Sequence, residues 1–205
     1  MLKIGITGGI GCGKSEVCKL LKKAGVPIIH ADEVAKLMIN NKASIKRQIK
    51  HTFGEKVYRA NGKLDSEKVA EIVFNDEAAK NRINEIVHPQ VIKYHQQVLL
   101  RLEKSGKYKV AGVEAALIFE SASSKLYDYI IVVSTSMENI VARLMKRNGM
   151  GKEEIQKRIA AQMPLAEKVN RADYVIINDG SLDDLEIQVN KLLAWLSEKM
   201  TNKER

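Results

Sequence analysis

The sequence predicts an α/β protein: a parallel five-stranded sheet flanked by helices, with a helical insertion between its second and third strands. Three observations carry this. Short apolar runs alternate with helical patterns, which in one sheet calls for parallel strands joined by right-handed crossovers. Residues 50–105 hold almost no strand pattern, far more chain than one crossover helix needs. Gly8, four residues and then Gly13-Lys14-Ser15 lie between the first apolar run and the first helical one, which is the G-x-x-x-x-G-K-[ST] spacing of a phosphate-binding loop.

In the first strand Leu2, Ile4 and Ile6 alternate with Lys3, Gly5 and Thr7. The glycines that follow let the backbone take positive φ and bring N–H groups toward phosphate oxygens. A helix from Lys14 aims its partly positive end at the same anion. Val17, Leu20, Leu21 and Ala24 give it one apolar face, and Gly25 ends it ahead of Pro27. Val26–His30 reads as the second strand. Val34, Leu37, Met38, Ile45 and Ile49 recur at helical spacing over Glu33–Ile49, with a polar break at Asn40-Asn41. Turns fall at Phe53-Gly54 and Asn61-Gly62, after which Asp65 or Ser66 caps a helix over Ser66–Phe74. Glu77–Val87 is helical, and His88-Pro89 bends the chain there, because a residue before proline is pushed out of the helical region. Helix resumes from Gln90 to about Lys104. Val110–Val113, ending at Glu114, and Tyr129–Val133 are the third and fourth strands. Met137–Arg147 is a helix with Arg143 and Arg147 on one face, broken at Gly149-Met150-Gly151. A basic helix over Glu153–Gln162 stops at Pro164. Tyr174–Ile177 is the fifth strand, Asn178-Asp179-Gly180 its turn, Asp183–Met200 an amphipathic closing helix and Thr201–Arg205 a polar tail.

The composition narrows the class. The 205 residues suit one α/β domain with a modest insertion, and 45% hydrophobic content can fill its core. No apolar run approaches the roughly 18 residues of a membrane helix, and the amino terminus enters the first strand directly, so the expectation is a soluble cytoplasmic protein without membrane attachment. Cys12 in the loop and Cys18 on its helix are the only cysteines, a placement that suits neither a structural disulfide nor a zinc site. A formal charge of +9 raises nucleic acid as a partner. The lysines are spread along the chain, aromatics are 5%, and no nucleic-acid-binding signature is present, whereas a positive field attracts small polyphosphates equally well. A GTP-driven switch would need D-x-x-G and N-K-x-D segments, and the chain has neither.

These residues resemble the dephospho-coenzyme A kinase family nearly end to end. The resemblance runs through Thr7–Ser15, Ala31-Asp32, Asn61–Asp65, Val73-Phe74, Val87-His88-Pro89, Leu117–Glu120, Arg143, Arg147, Arg158–Met163 and Ala172–Asn178. It implies a P-loop kinase core over 1–49 and 106–205, a helical insertion over 50–105 that binds dephospho-coenzyme A, and a lid over about 143–165. The reaction it implies is ATP-dependent phosphorylation of the ribose 3′-hydroxyl of dephospho-coenzyme A, the last step of coenzyme A synthesis. A nucleoside monophosphate kinase is the alternative within the same fold, and a monomer is the expected state. The chain departs from the family pattern at Cys12, where serine is usual, and at Glu16, where threonine is common. His30 and Ser66 stand where aspartate and arginine are familiar.

The candidate site follows. Gly11, Cys12, Gly13, Lys14, Ser15 and Glu16 form the nucleotide loop, with Arg143 and Asn178 also on ATP. The Ser15 hydroxyl is placed on Mg²⁺ with the nucleotide, and Glu114 on the same ion through water. Lys14 bridges the β- and γ-phosphates, Arg147 supplies charge to the transferring group, and Asp32 is the candidate general base. Lys168 and Arg171, near Asn178, are read as surface charge ahead of a place by the adenine or phosphates. The competing readings of the others are structural: Asp32 as N-cap of a helix starting at Glu33, and Arg143 and Arg147 as a solvated basic face. Ser15, Asp32, Glu114 and Asn178 all follow strands, at the end of a parallel sheet where ligands bind.

Overall fold

The computed structural model describes residues 1–203, apart from the side chains of Phe74, Asn75, Arg147, Asn148 and Lys203. In chain order the first elements are β1 (Leu2–Gly8), α1 (Lys14–Lys23), β2 (Ile28–His30), α2 (Ala31–Asn41), α3 (Ala43–Phe53), α4 (Ser66–Asn75) and α5 (Glu77–Lys104). They are followed by β3 (Val110–Glu114), β4 (Tyr129–Ser134), α6 (Met137–Asn148), α7 (Lys152–Ala160), α8 (Leu165–Asn170), β5 (Tyr174–Ile177) and α9 (Leu182–Lys203). The chain forms two compact units, one of Met1–Ile29 with Val98–Arg205 and the other of His30–Gln97.

The first unit holds the sheet, in the order β2-β3-β1-β4-β5. β1 pairs in parallel with β3 and β4, and β4 with β5. β1 is central, and Leu2, Ile4 and Ile6 are essentially without exposure. Side chains alternate between the two faces of a strand. Ile131 and Val133 accordingly join Ile4, Ile6, α1 (Val17, Leu21) and α9 (Leu185, Val189, Leu192, Leu196) in the main core. Ile130 and Val132 face the other way, toward Ile118 and the partly buried Leu165 and Val169. Two aspartates staple the strand starts. Asp128 Oδ2 accepts the Lys3 N–H at 2.7 Å, and Asp173 Oδ2 accepts the Ile130 N–H at 2.7 Å. At the exposed side of β5, Gln188 of α9 accepts the Ile177 N–H at 3.2 Å and donates to Ile177 O at 2.6 Å.

The second unit is helical. Ile45, Ile49 and Val57 are its buried centre, with Ala79, Val87 and Val91 of α5 also buried. Of the two candidate caps Asp65 and Ser66, Asp65 caps α4, accepting the Lys68 N–H. Asn40 Oδ1 accepts the Leu64 N–H at 2.8 Å, and Tyr58 donates its hydroxyl to Ile39 O at 3.0 Å.

Several boundaries differ from the sequence expectation. α5 is one 28-residue helix with Pro89 inside it. Proline forfeits a single N–H bond there, and buried Val87 and Val91 on either side hold the helix through the gap. α7 stops at Ala160, and the six-residue α8, which has too few turns to show a period, lies where only loop was expected. α9 continues through Thr201 and Asn202 to Lys203 where a tail was expected, and Glu204 and Arg205 lie outside the described residues.

Candidate functional site

The site is built where β1 gives way to α1. Gly8 lies so close to β4 that a Cβ on it would meet Val133 O at 2.2 Å. Gly13 has φ +90°, and a Cβ there would meet Asn178 Nδ2 at 2.1 Å; only glycine fits either position. In the first turn of α1 Glu16 and Val17 give their N–H groups to Gly13 O, and the N–H groups ahead of them are the ones a helix start offers to an anion. The Lys14 ammonium bends back onto the loop, donating to Gly8 O at 3.2 Å and Gly9 O at 3.1 Å.

Asn178, just past β5, donates its side-chain amide to Cys12 O at 2.9 Å. Its own carbonyl accepts Arg143 Nη2 at 2.8 Å and Thr135 Oγ1 at 2.8 Å. Arg143 Nη1 lies 3.5 Å from Gly11 O. Gly11, Cys12, Arg143 and Asn178 are thus one hydrogen-bonded group. The Asp179 carboxylate stands behind it, accepting Thr135 Oγ1, the Ser136 N–H and Asn139 Nδ2 at 2.7, 2.7 and 3.2 Å. The Thr135 bond first and the Ser136 N–H next hold that carboxyl below the usual range.

Cys12 is fully buried, and burial raises its thiol against the nearby Lys14 charge. Cys18 is pushed up to about 12, first by burial and then by the Glu114 carboxylate. That second effect places Glu114, 8% exposed at the end of β3, near α1. Ser15 is exposed in the first turn of α1. Glu16 turns its side chain to Lys19 at 2.8 Å and gives its N–H to Gly13 O. Arg147 is on α6, and its side chain lies outside the described residues. Among the described residues no group of three His, Cys, Asp or Glu could hold a metal ion.

Asp32 belongs to the second unit. It is exposed in the first turn of α2, which begins at Ala31 with His30 as the N-cap residue, so Asp32 is not that helix's cap. His88 lies within its field: burial lowers the imidazole pKa, and the Asp32 carboxylate partly opposes the shift.

The reading of Lys168 as surface charge is overturned. Lys168 is fully buried and paired with Glu120 at 2.8 Å. Arg171 pairs with Glu167 and sits over the Phe119 ring, 5.9 Å from its centroid. Thr135 and Asp179 are the residues around Asn178 that sequence reasoning missed. Asp179 followed a strand end, a signal that was read only as a turn.

The strand order and the loop between β1 and α1 define a P-loop kinase. The sequence model for the dephospho-CoA kinase family matches residues 2–184. The chain belongs to the dephospho-CoA kinase family. A relative named dephospho-CoA kinase from Geobacillus kaustophilus is 40% identical over 195 residues, covering 94% of this chain and 95% of its own. A crystal structure from Thermus thermophilus has a TM-score of 0.81 at 35% identity, with 95% and 97% of the two chains covered. The dephospho-CoA kinase of Campylobacter jejuni has a TM-score of 0.71 at 28% identity, with 96% and 98% covered. No described helix is long and apolar enough to cross a membrane.

Proposed function

We propose that the loop at Gly8–Ser15 binds ATP and that this site carries out the family's reaction, phosphorylation of the ribose 3′-hydroxyl of dephospho-coenzyme A. The observation that carries this reading is the loop itself, clamped by Asn178 and Arg143 with Lys14 already at its mouth. Backbone N–H groups of the loop and of α1 cradle the β- and γ-phosphates. Lys14 exchanges the Gly8 and Gly9 carbonyls for phosphate oxygens. Arg143 and Arg147 add the positive charge that a loose phosphoryl-transfer transition state demands. Asp32, an exposed carboxylate two residues past β2, accepts the acceptor hydroxyl's proton as its oxygen bonds to the γ-phosphorus and the bond to ADP breaks.

Ser15 and Glu114 fit Mg²⁺ bound with the nucleotide: both offer hard oxygen atoms, and among the described residues no group of three His, Cys, Asp or Glu would hold the ion by itself. Ser15 would hold it directly and Glu114 through water, and when bound it neutralises charge developing on the β- and γ-oxygens. Residues 50–105 form the acceptor-binding insertion and 143–165 the lid. The protein works as a cytoplasmic monomer on these small molecules, without nucleic acid or membrane.

Incubation with ATP, Mg²⁺ and dephospho-coenzyme A, against nucleoside monophosphate controls, tests the reading. ADP should form only with dephospho-coenzyme A, in step with coenzyme A. ADP with a nucleotide acceptor would assign the monophosphate kinase instead. Asp32→Asn should keep ATP affinity within a few fold and lose most turnover; near-normal turnover would remove Asp32 from the role.

A further inference from the structure

Lys168 of α8 has no exposure to solvent. Its Nζ donates to Ala116 O at 2.7 Å and meets Glu120 Oε1 at 2.8 Å. The same Glu120 oxygen accepts the N–H of Met163, in the turn between α7 and α8, at 3.0 Å. Ala116 O also accepts the hydroxyl of fully buried Thr7 at 3.2 Å. Thr7 is bonded to Gly8, the residue whose carbonyl holds Lys14. A continuous path therefore joins the end of the 143–165 segment to the first residue of the phosphate loop.

This is a costly way to pack a helix. Withdrawing the Lys168 ammonium from water costs several kcal/mol, only part of which is returned by Glu120, whose side chain keeps 24% exposure, and an apolar side chain of similar volume is often as stable or more so. Burial pushes the Glu120 carboxyl up, but hydrogen bonds from Lys168 and the Met163 N–H outweigh it and leave the carboxyl below its usual range. What the ion pair has and an apolar pair lacks is direction: fixed bonds to Ala116 O and to Met163 N–H.

We propose that Lys168 is a positioning residue for phosphoryl transfer, its buried ammonium and Glu120 locking the α7–α8 turn to the strand end that feeds the phosphate loop. The arginine-bearing α6–α7 segment thereby keeps one register on the loop. The proposal rests on the kinase reading above. It concerns geometry at the moment of transfer, where a displacement of about 1 Å can cost 100-fold in rate, and not the backbone N–H groups that bind ATP.

The test is the double variant Lys168→Met/Glu120→Leu, beside Glu120→Gln and the wild-type chain. Thermal unfolding, ATP titration calorimetry and steady-state kinetics with dephospho-coenzyme A are measured on each. Wild-type turnover comes first; its absence would reject the kinase reading before the variants are compared. The double variant should unfold within a few degrees of wild type, bind ATP within about threefold and lose about tenfold or more in kcat. A folded double variant with kcat within about twofold of wild type overturns the proposal, as does a loss of ATP binding that matches the loss of kcat. Should the double variant not fold, Glu120→Gln decides: it keeps acceptors for Lys168 and Met163 but weakens the ion pair. A kcat lowered several-fold at unchanged ATP affinity supports the role, and an unchanged kcat overturns it.

Discussion

Asn178 ties the end of β5 to the nucleotide loop from two directions, through its amide on Cys12 O and its carbonyl under Arg143. Asn178→Ala would leave Cys12 O, on a fully buried residue, without that donor. An unpaired buried acceptor costs about 1–3 kcal/mol of stability, so the variant should unfold about 3–10 °C below wild type, read by thermal denaturation. At this scale the sequence made Lys14 and Ser15 legible because their meaning lies in local spacing. Asn178 was legible from its place after a strand. Lys168 was not, because a lysine is normally a surface residue, and only the fold shows Ala116 O and Glu120 converging on it.

Strands and most helices were legible because apolar period and end signals agree over several residues. Asp65 is an N-cap, and Gly149 closes α6 in a left-handed conformation at φ +63°. Where a short-range rule competes with long-range packing, the rule loses. Pro89 should break a helix, yet α5 runs through it because buried contacts on both sides outweigh one missing bond. Pro89→Ala is therefore expected to stabilise the protein by about 1 kcal/mol or more, by restoring an N–H bond to Glu85 O and removing a ring clash. Urea unfolding at neutral pH checks this, and a lower midpoint would mean that the proline fits its site better than alanine does.

On the scale of the whole molecule, stability near neutral pH should follow a buried histidine. His95 is 3% exposed, its Nε2 has no hydrogen-bond partner among the described residues, and burial lowers its pKa from 6.5 to about 4. Between those values the unfolded chain binds the proton and the folded chain does not. Stability is therefore full above pH 6.5 and falls as pH drops toward 4, by up to about 3 kcal/mol. His88, also lowered by burial, contributes in the same direction. Asp179 and Glu120, with carboxyls held below their usual values, lose their contributions only at lower pH. His95→Leu should flatten the fall between pH 7.5 and 5 in urea titrations, and an unchanged slope would assign the effect elsewhere. The sheet carries a further property of the whole fold. At β5 the Gln188 amide supplies Ile177 with one donor and one acceptor, the pair that a neighbouring strand would offer. The side chain is always at hand, so a second molecule seeking to extend the sheet here competes with a tethered partner at high effective concentration. The β5 edge of the fold thus carries its own stop against the strand-by-strand growth that open sheet edges invite.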